Sequence, residues 1–242
     1  MISRRQVLKG LAAGTAALAI SKIAGAGARA PSEPPPMEHA VVAPEEAIAR
    51  LRKGNHRYVA MKRLSDPGVG PKFRKALTEG QWPYATILSC SDSRVPPELI
   101  FDEGLGRLFI IRVAGNIINP ALLGSIEYAS LHLTSRLILV MGHESCGAVG
   151  AAVHAWENPG EKETPGIDDL IKRLMPAVLK AQKDTGFQGK ELVEAAAKEN
   201  VRMVVRQIAD ESEPLREMQN EGKLKIVGGY YSLTTGEVDM WT

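Results

Sequence analysis

The sequence predicts an α/β fold. The expected frame is a central, mostly parallel sheet of about four parallel strands plus a C-terminal hairpin. Helices flank the sheet, and an N-terminal helix protrudes from it. Three observations carry this expectation. Short aliphatic runs at 84–89, 108–113, 137–142 and 223–228 are bounded by polar residues or glycine, as strands buried on both faces are. Stretches with helical spacing separate them, and that alternation requires right-handed crossovers between parallel strands. The length of 242 residues suits one such domain with short extensions.

The elements follow in order. Residues 1–30 hold Arg4, Arg5, Lys9, Lys22 and Arg29 and no acid. A charged start, an Ala/Gly/Leu stretch and small-residue sites around 24–28 form the layout of an export signal. The stretch Ser3-Arg4-Arg5-Gln6-Val7-Leu8-Lys9 resembles a twin-arginine signal. This leader carries +5 of a chain whose total is only +2, so the body stands at −3. A body without a basic surplus, and with only 5% aromatic residues, gives no footprint for nucleic acid. Residues 31–43, with Pro31, Pro34, Pro35 and Pro36, read as an extended linker. The remainder, 44–242, reads as one α/β domain.

Pro44 with Glu45 and Glu46 opens a helix that runs to about residue 62, weakened in the middle by Gly54-Asn55. A short helix over 73–79 stops at Gly80. Strand 84–89 is followed by a short helix after Pro96-Pro97, strand 108–113, helix 121–133, strand 137–142 and helix 145–156. A polar loop over 157–166 leads to helices at 167–182 and 188–211. The second has a charged side of Glu191, Glu194, Lys198, Arg202 and Arg206, which reads as an ordinary solvated face. Helix 214–221, strand 223–228 and a hairpin of 230–233 with 238–241 complete the chain.

The chemistry concentrates at two strand ends. Cys90-Ser91-Asp92-Ser93-Arg94 follows the first strand, and His143-Glu144-Ser145-Cys146-Gly147 follows the third. Ligands in open α/β sheets bind beyond the carboxyl ends of strands, where strand order reverses. Two thiolates and one imidazole are a zinc set with a fourth position left for water or hydroxide. Cys90 and Cys146 are the only cysteines, so a single disulfide is the rival in an exported protein. His143, three residues before Cys146, favours metal. Asp92 is placed to hydrogen-bond the nucleophile or to occupy the fourth position, and Arg94 to fork onto it.

These residues resemble the β-class carbonic anhydrases, in their plant-like subtype. Cys90-x-Asp92-x-Arg94 followed by His143-x-x-Cys146-Gly147 carries the resemblance, over roughly 44–229. It implies one zinc per subunit, held by Cys90, His143 and Cys146, with Asp92 and Arg94 as the catalytic dyad. It implies reversible hydration of CO2 to bicarbonate and a proton by attack of zinc-bound hydroxide. It also implies a homodimer or higher homo-oligomer with exchanged N-terminal helices. Gln81, Phe109 and Tyr128 match substrate-cleft positions, some of them serving the other subunit's zinc. The Gly147 N–H, opening a helix, matches a donor toward developing negative charge. The partners so implied are CO2 or bicarbonate and the twin-arginine export machinery, with a periplasmic or otherwise exported location. Rival readings are a COS/CS2 hydrolase on the same scaffold, a non-catalytic zinc-stabilised module, and a redox protein. The absence of a Cys-x-x-Cys pair argues against the last.

Overall fold

The computed structural model describes residues 40–161 and 163–241. The expected leader and all but the last residues of the linker lie outside them. Five strands form one sheet: β1 Ala85–Ser89, β2 Leu108–Arg112, β3 Leu137–His143, β4 Lys225–Tyr231 and β5 Val238–Trp241. Their order is β2-β1-β3-β4-β5. All neighbours are parallel except β4 and β5. The helices are α1 Pro44–Val59, α2 Pro71–Ala76, α3 Pro97–Ile100, α4 Pro120–His132, α5 Gly147–Glu157, α6 Pro165–Thr185, α7 Gly189–Glu211 and α8 Glu213–Asn220.

Every residue of β1 and β3 is buried. Their side chains alternate between two cores, as the two-residue period of a strand requires. Ala85 and Ile87 of β1 join Leu137, Leu139 and Met141 of β3 on one face, against Ala47, Ile48 and Leu51 of α1. Leu88, Ile138 and Val140 face the other way, against Val201, Val204 and Ile208 of α7. Near-continuous aliphatic runs are what a sheet covered on both faces needs.

The structure departs from the sequence reading at three places. The expected strand 223–228 and the first hairpin arm are one strand, β4, which pairs with β3 along its length and turns back into β5. The intervening Gly228-Gly229 looked like a break, but both glycines stay in register, opposite Val140 and Met141. Second, α1 does not protrude from its own chain. Its apolar side is buried on the sheet, with Leu51 fully enclosed. Third, Gly54-Asn55 anchors α1 instead of weakening it. A Cβ at Gly54 would stand 1.8 Å from the Phe101 carbonyl oxygen, so only glycine lets the helix approach α3 this closely. Asn55 is buried and donates to the carbonyls of Ile100 and Gly236, at 3.2 and 2.8 Å, while accepting from the Val238 N–H at 2.9 Å. It ties α1 to α3 and to the β4–β5 turn.

Strand β1 has β2 on one side and β3 on the other. The first crossover runs from β1 out to β2, and the second returns from β2 past β1 to β3, so strand order reverses at β1 and a crevice opens beyond the carboxyl ends of β1 and β3. Cys90 follows β1 directly, and His143 is the last residue of β3.

Candidate metal centre

The crevice brings together what the sequence places 56 positions apart. The Sγ atoms of Cys90 and Cys146 lie 4.0 Å from one another. With a ring nitrogen of His143, the three ligand atoms all lie within 4.8 Å of one another. Two thiolates bound at about 2.3 Å to one tetrahedral ion stand roughly 3.8 Å apart, so the sulfurs need almost no movement to share one. Both cysteines are free thiols, which removes the disulfide reading from this arrangement.

His143 is fully buried. Its Nδ1 lies 2.9 Å from the carbonyl oxygen of Glu144. A carbonyl only accepts, so Nδ1 carries the proton and Nε2 bears the lone pair. That Nε2 is buried and has no hydrogen-bond partner. A buried acceptor left bare costs free energy unless something fills it, and beside two sulfurs the fitting occupant is a soft divalent cation. Hydrogen bonding to the Glu144 carbonyl is also how a ligating imidazole is held in its ring orientation.

The sulfurs are primed for the same occupant. The Cys146 thiol, His143 and the Gly115 N–H, which stands 3.3 Å from its sulfur, pull the Cys90 thiol well below its usual range. Its hydrogen bond to Cys90 in turn pushes the Cys146 thiol up, and burial and the negative charge on Cys90 add to that. One proton leaves the pair readily and the second is retained until positive charge arrives. A divalent ion supplies that charge.

Asp92 and Arg94 form the bidentate pair expected of them. Arg94 donates from Nε to Oδ1 at 2.9 Å and from Nη2 to Oδ2 at 2.7 Å. Its backbone N–H adds a third bond to Oδ1 at 2.9 Å. The guanidinium holds the Asp92 carboxyl far below the usual carboxylate range. Arg94 Nη2 also reaches the Ser145 carbonyl at 3.2 Å, which links the first motif to the second. Gly147 is the first residue of α5, directly after Cys146, so its N–H belongs to the unpaired first turn of a helix.

The remaining expected site residues are not gathered at this crevice within one chain. Gln81 is exposed and precedes β1, whereas Cys90 follows it. The five strand residues between them span about 16 Å. Phe109 sits in β2 opposite Thr86, three residues short of the strand end. Its ring lies 6.4 Å from that of Tyr128, which is 49% exposed on α4. Phe109 packs at the margin of the core shared by the sheet, α4 and α7, and Tyr128 pairs with it there.

Several site neighbours escaped the sequence reading. Arg112, at the end of β2, donates to the backbone carbonyls of Cys90 at 3.0 Å and Asp92 at 2.6 Å. A cation closing the aliphatic run of β2 was the available signal. Glu144 is gripped by the β4–β5 turn. It accepts from the Ser232 hydroxyl at 2.9 Å, the Thr234 N–H at 2.9 Å and the Thr234 hydroxyl at 2.7 Å. Those bonds, the Thr234 hydroxyl first, pull its carboxyl down to about 2. Glu194 of α7 accepts from the Ser145 N–H at 2.8 Å and from the Tyr230 hydroxyl. Glu144, Ser145, Cys146, Gly147, Glu194 and Tyr230 border a cleft of about 730 Å³ on the β4 side of this turn.

Comparison with known proteins agrees with the geometry. Residues 85–238 match the family model described as carbonic anhydrase, and residues 1–21 match that of the twin-arginine translocation pathway signal sequence. A carbonic anhydrase of Mycolicibacterium smegmatis is 38% identical over 197 residues, covering 81% of this chain and 93% of that protein. Carbonic anhydrase 2 of Mycobacterium tuberculosis is 40% identical over 193 residues, covering 80% and 90%. The solved β-carbonic anhydrase CcaA superimposes with a TM-score of 0.64 at 28% identity, over 81% of this chain and 86% of that one. The order of the sheet, the Cys-His-Cys cluster and these likenesses together place the chain in the β-class carbonic anhydrase family.

Proposed function

We propose that this chain is an exported, zinc-dependent carbonate dehydratase that interconverts CO2 with bicarbonate and a proton. The observation that carries the reading is the convergence of three ligand atoms within 4.8 Å beside an Asp92 locked by Arg94. Cys90, His143 and Cys146 would hold the ion. Zinc in such a set acts as a Lewis acid that makes water nucleophilic near neutral pH.

The chain's own groups do the rest. Asp92 stays ionised under the Arg94 fork, so it accepts a hydrogen bond and cannot donate one. It therefore fixes the proton of the attacking oxygen on its own side and turns a lone pair toward the carbon of CO2. Arg94 is held in turn by the Ser145 carbonyl, which keeps the fork from rotating away. The Gly147 N–H, at the start of α5, stabilises negative charge on a substrate oxygen as bicarbonate forms.

Gln81, Phe109 and Tyr128 are assigned to the cleft of a neighbouring subunit. Their distance along the sheet from their own Cys90, and their place on and beside the edge strand β2, support that assignment. An edge strand with partly exposed Leu108, Phe109 and Ile110 suits pairing with a second copy. The proposed assembly is thus a homodimer or a multiple of it, with one zinc per subunit. Residues 1–30 are assigned as the signal, 31–43 as the linker and 44–242 as the catalytic domain, delivered to the periplasm.

Stopped-flow CO2 hydration by the zinc-loaded protein, with COS as comparison substrate, tests the activity. Turnover of CO2 well above that of COS is expected, and the reverse preference would move the assignment to a hydrolase. Replacing Arg4-Arg5 by two lysines tests delivery: the precursor is expected to stay inside the cell in fractionation experiments.

A further inference from the structure

Between the ligands His143 and Cys146 lie only Glu144 and Ser145. The backbone of Ser145 has a φ of +54°, in the left-handed region that residues with a side chain seldom enter. Such a conformation persists where its surroundings hold it, and here the holder is visible. Glu194, half-buried on α7, accepts from the Ser145 N–H with one carboxylate oxygen at 2.8 Å and from the Tyr230 hydroxyl with the other. A carboxylate acceptor makes both bonds charge-assisted. The Ser145 carbonyl points the other way, to Arg94 Nη2 at 3.2 Å. One residue, Ser145, thus stands between Glu194 and the Asp92–Arg94 fork, and Cys146 follows it directly in the chain.

We infer that Glu194 is a positioning residue for this centre. It fixes the left-handed turn that lets His143 and Cys146 converge, and through the Ser145 carbonyl it keeps Arg94 seated on Asp92. Tyr230 orients the Glu194 carboxylate, and Lys198, whose Nζ lies 4.8 Å from the centre of the Tyr230 ring, packs over that phenol. The two hydrogen bonds of Glu194 go to Ser145 and Tyr230 and not to the ligand atoms. Its effect passes entirely through the turn. The inference rests on Cys90, His143 and Cys146 holding the metal.

The test measures zinc release into a chelator, and the visible spectrum of cobalt-substituted protein, for the wild type and three variants. Glu194→Ala is expected to release zinc about 10-fold faster or more, the scale seen when partners of metal ligands are removed, and to shift the cobalt bands. Glu194→Gln keeps an acceptor for the Ser145 N–H and is expected to stay within about 3-fold of the wild type. Ser145→Gly added to Glu194→Ala is expected to recover part of the loss, because glycine adopts φ near +54° without steric cost. It also supplies a measurable protein where the single variant folds poorly. Wild-type release rates and an unchanged spectrum in Glu194→Ala overturn the inference. Equal loss in Glu194→Gln and Glu194→Ala overturns it too, as does a double variant no better than the single. A wild-type protein that binds no zinc would instead overturn the proposed function, so the two failures are distinguishable.

Discussion

Arg94 grips both carboxylate oxygens of Asp92, through Nε at 2.9 Å and Nη2 at 2.7 Å. The pair is a hydrogen-bond acceptor held at fixed orientation beside the sulfurs. Asp92→Asn replaces one acceptor oxygen with a donor and should keep zinc while lowering CO2 hydration by about 100-fold or more. Arg94→Lys should resemble it, because a point charge cannot reproduce a planar fork. Metal analysis alongside stopped-flow kinetics checks both; near-normal turnover in Asp92→Asn would remove the assigned role.

Zinc removal should expose the thiol pair. The sulfurs stand 4.0 Å apart, and a disulfide needs them at about 2.05 Å, so the closure required is roughly 2 Å. Chelator-stripped protein held in air should lose both titratable thiols and refuse zinc until a reductant is added. Protein stripped under reductant should reload at once. Thiol counts under denaturing conditions, before and after reduction, decide this.

Gly54→Ala should destabilise the fold severely. The new methyl would lie 1.8 Å from the Phe101 carbonyl oxygen, so α1 must back away from α3 and the Asn55 bonds must stretch. A loss of about 3 kcal/mol or more is expected, in the range of overpacking plus broken buried hydrogen bonds. Urea unfolding of zinc-loaded protein measures it. Metal content per folded molecule should change little, since α1 packs on the sheet away from the ligand turns.

Glu103 gives a pH dependence whose sign is opposite to that of most carboxylates. Burial raises its pKa above the ordinary value, although the Tyr84 hydroxyl donates to it at 2.8 Å. The folded state therefore takes up the proton more readily than the unfolded one. The stability contributed by protonation is fully present below the unfolded pKa and is lost as pH rises through the folded one. Glu103→Gln should remove this slope. The difference in unfolding free energy between wild type and variant should tilt toward the wild type as pH falls from neutral toward about 4.5. A flat difference across that window would show that Glu103 is solvated.

Much of this was legible in the chain because the informative features are local. Aliphatic runs marked β1, β2 and β3 to within a residue or so of their ends. The spacing of Cys90, Asp92 and Arg94, and of His143 and Cys146, sits within single turns, where sequence distance is spatial distance. What escaped was non-local. Glu194 belongs to a charged helix side in the sequence, and only the placement of α7 against β4 turns it toward Ser145, 49 residues away. Asn55 looked like a helix breaker because its three partners lie on α3 and the β4–β5 turn, far along the chain. Gln81, Phe109 and Tyr128 fit a cleft pattern by position, and only the folded sheet shows how far they stand from their own Cys90.

The two sulfurs come from turns separated by 56 residues, one leaving β1 and the other leaving β3. An ion clasped between them would act as a rivet across the carboxyl ends of the two strands. It can be driven home only after those adjacent strands lie side by side, so capture is itself a step of folding rather than a finishing touch. Metal content in a freshly made preparation then cannot exceed the share of chains that have closed their central seam.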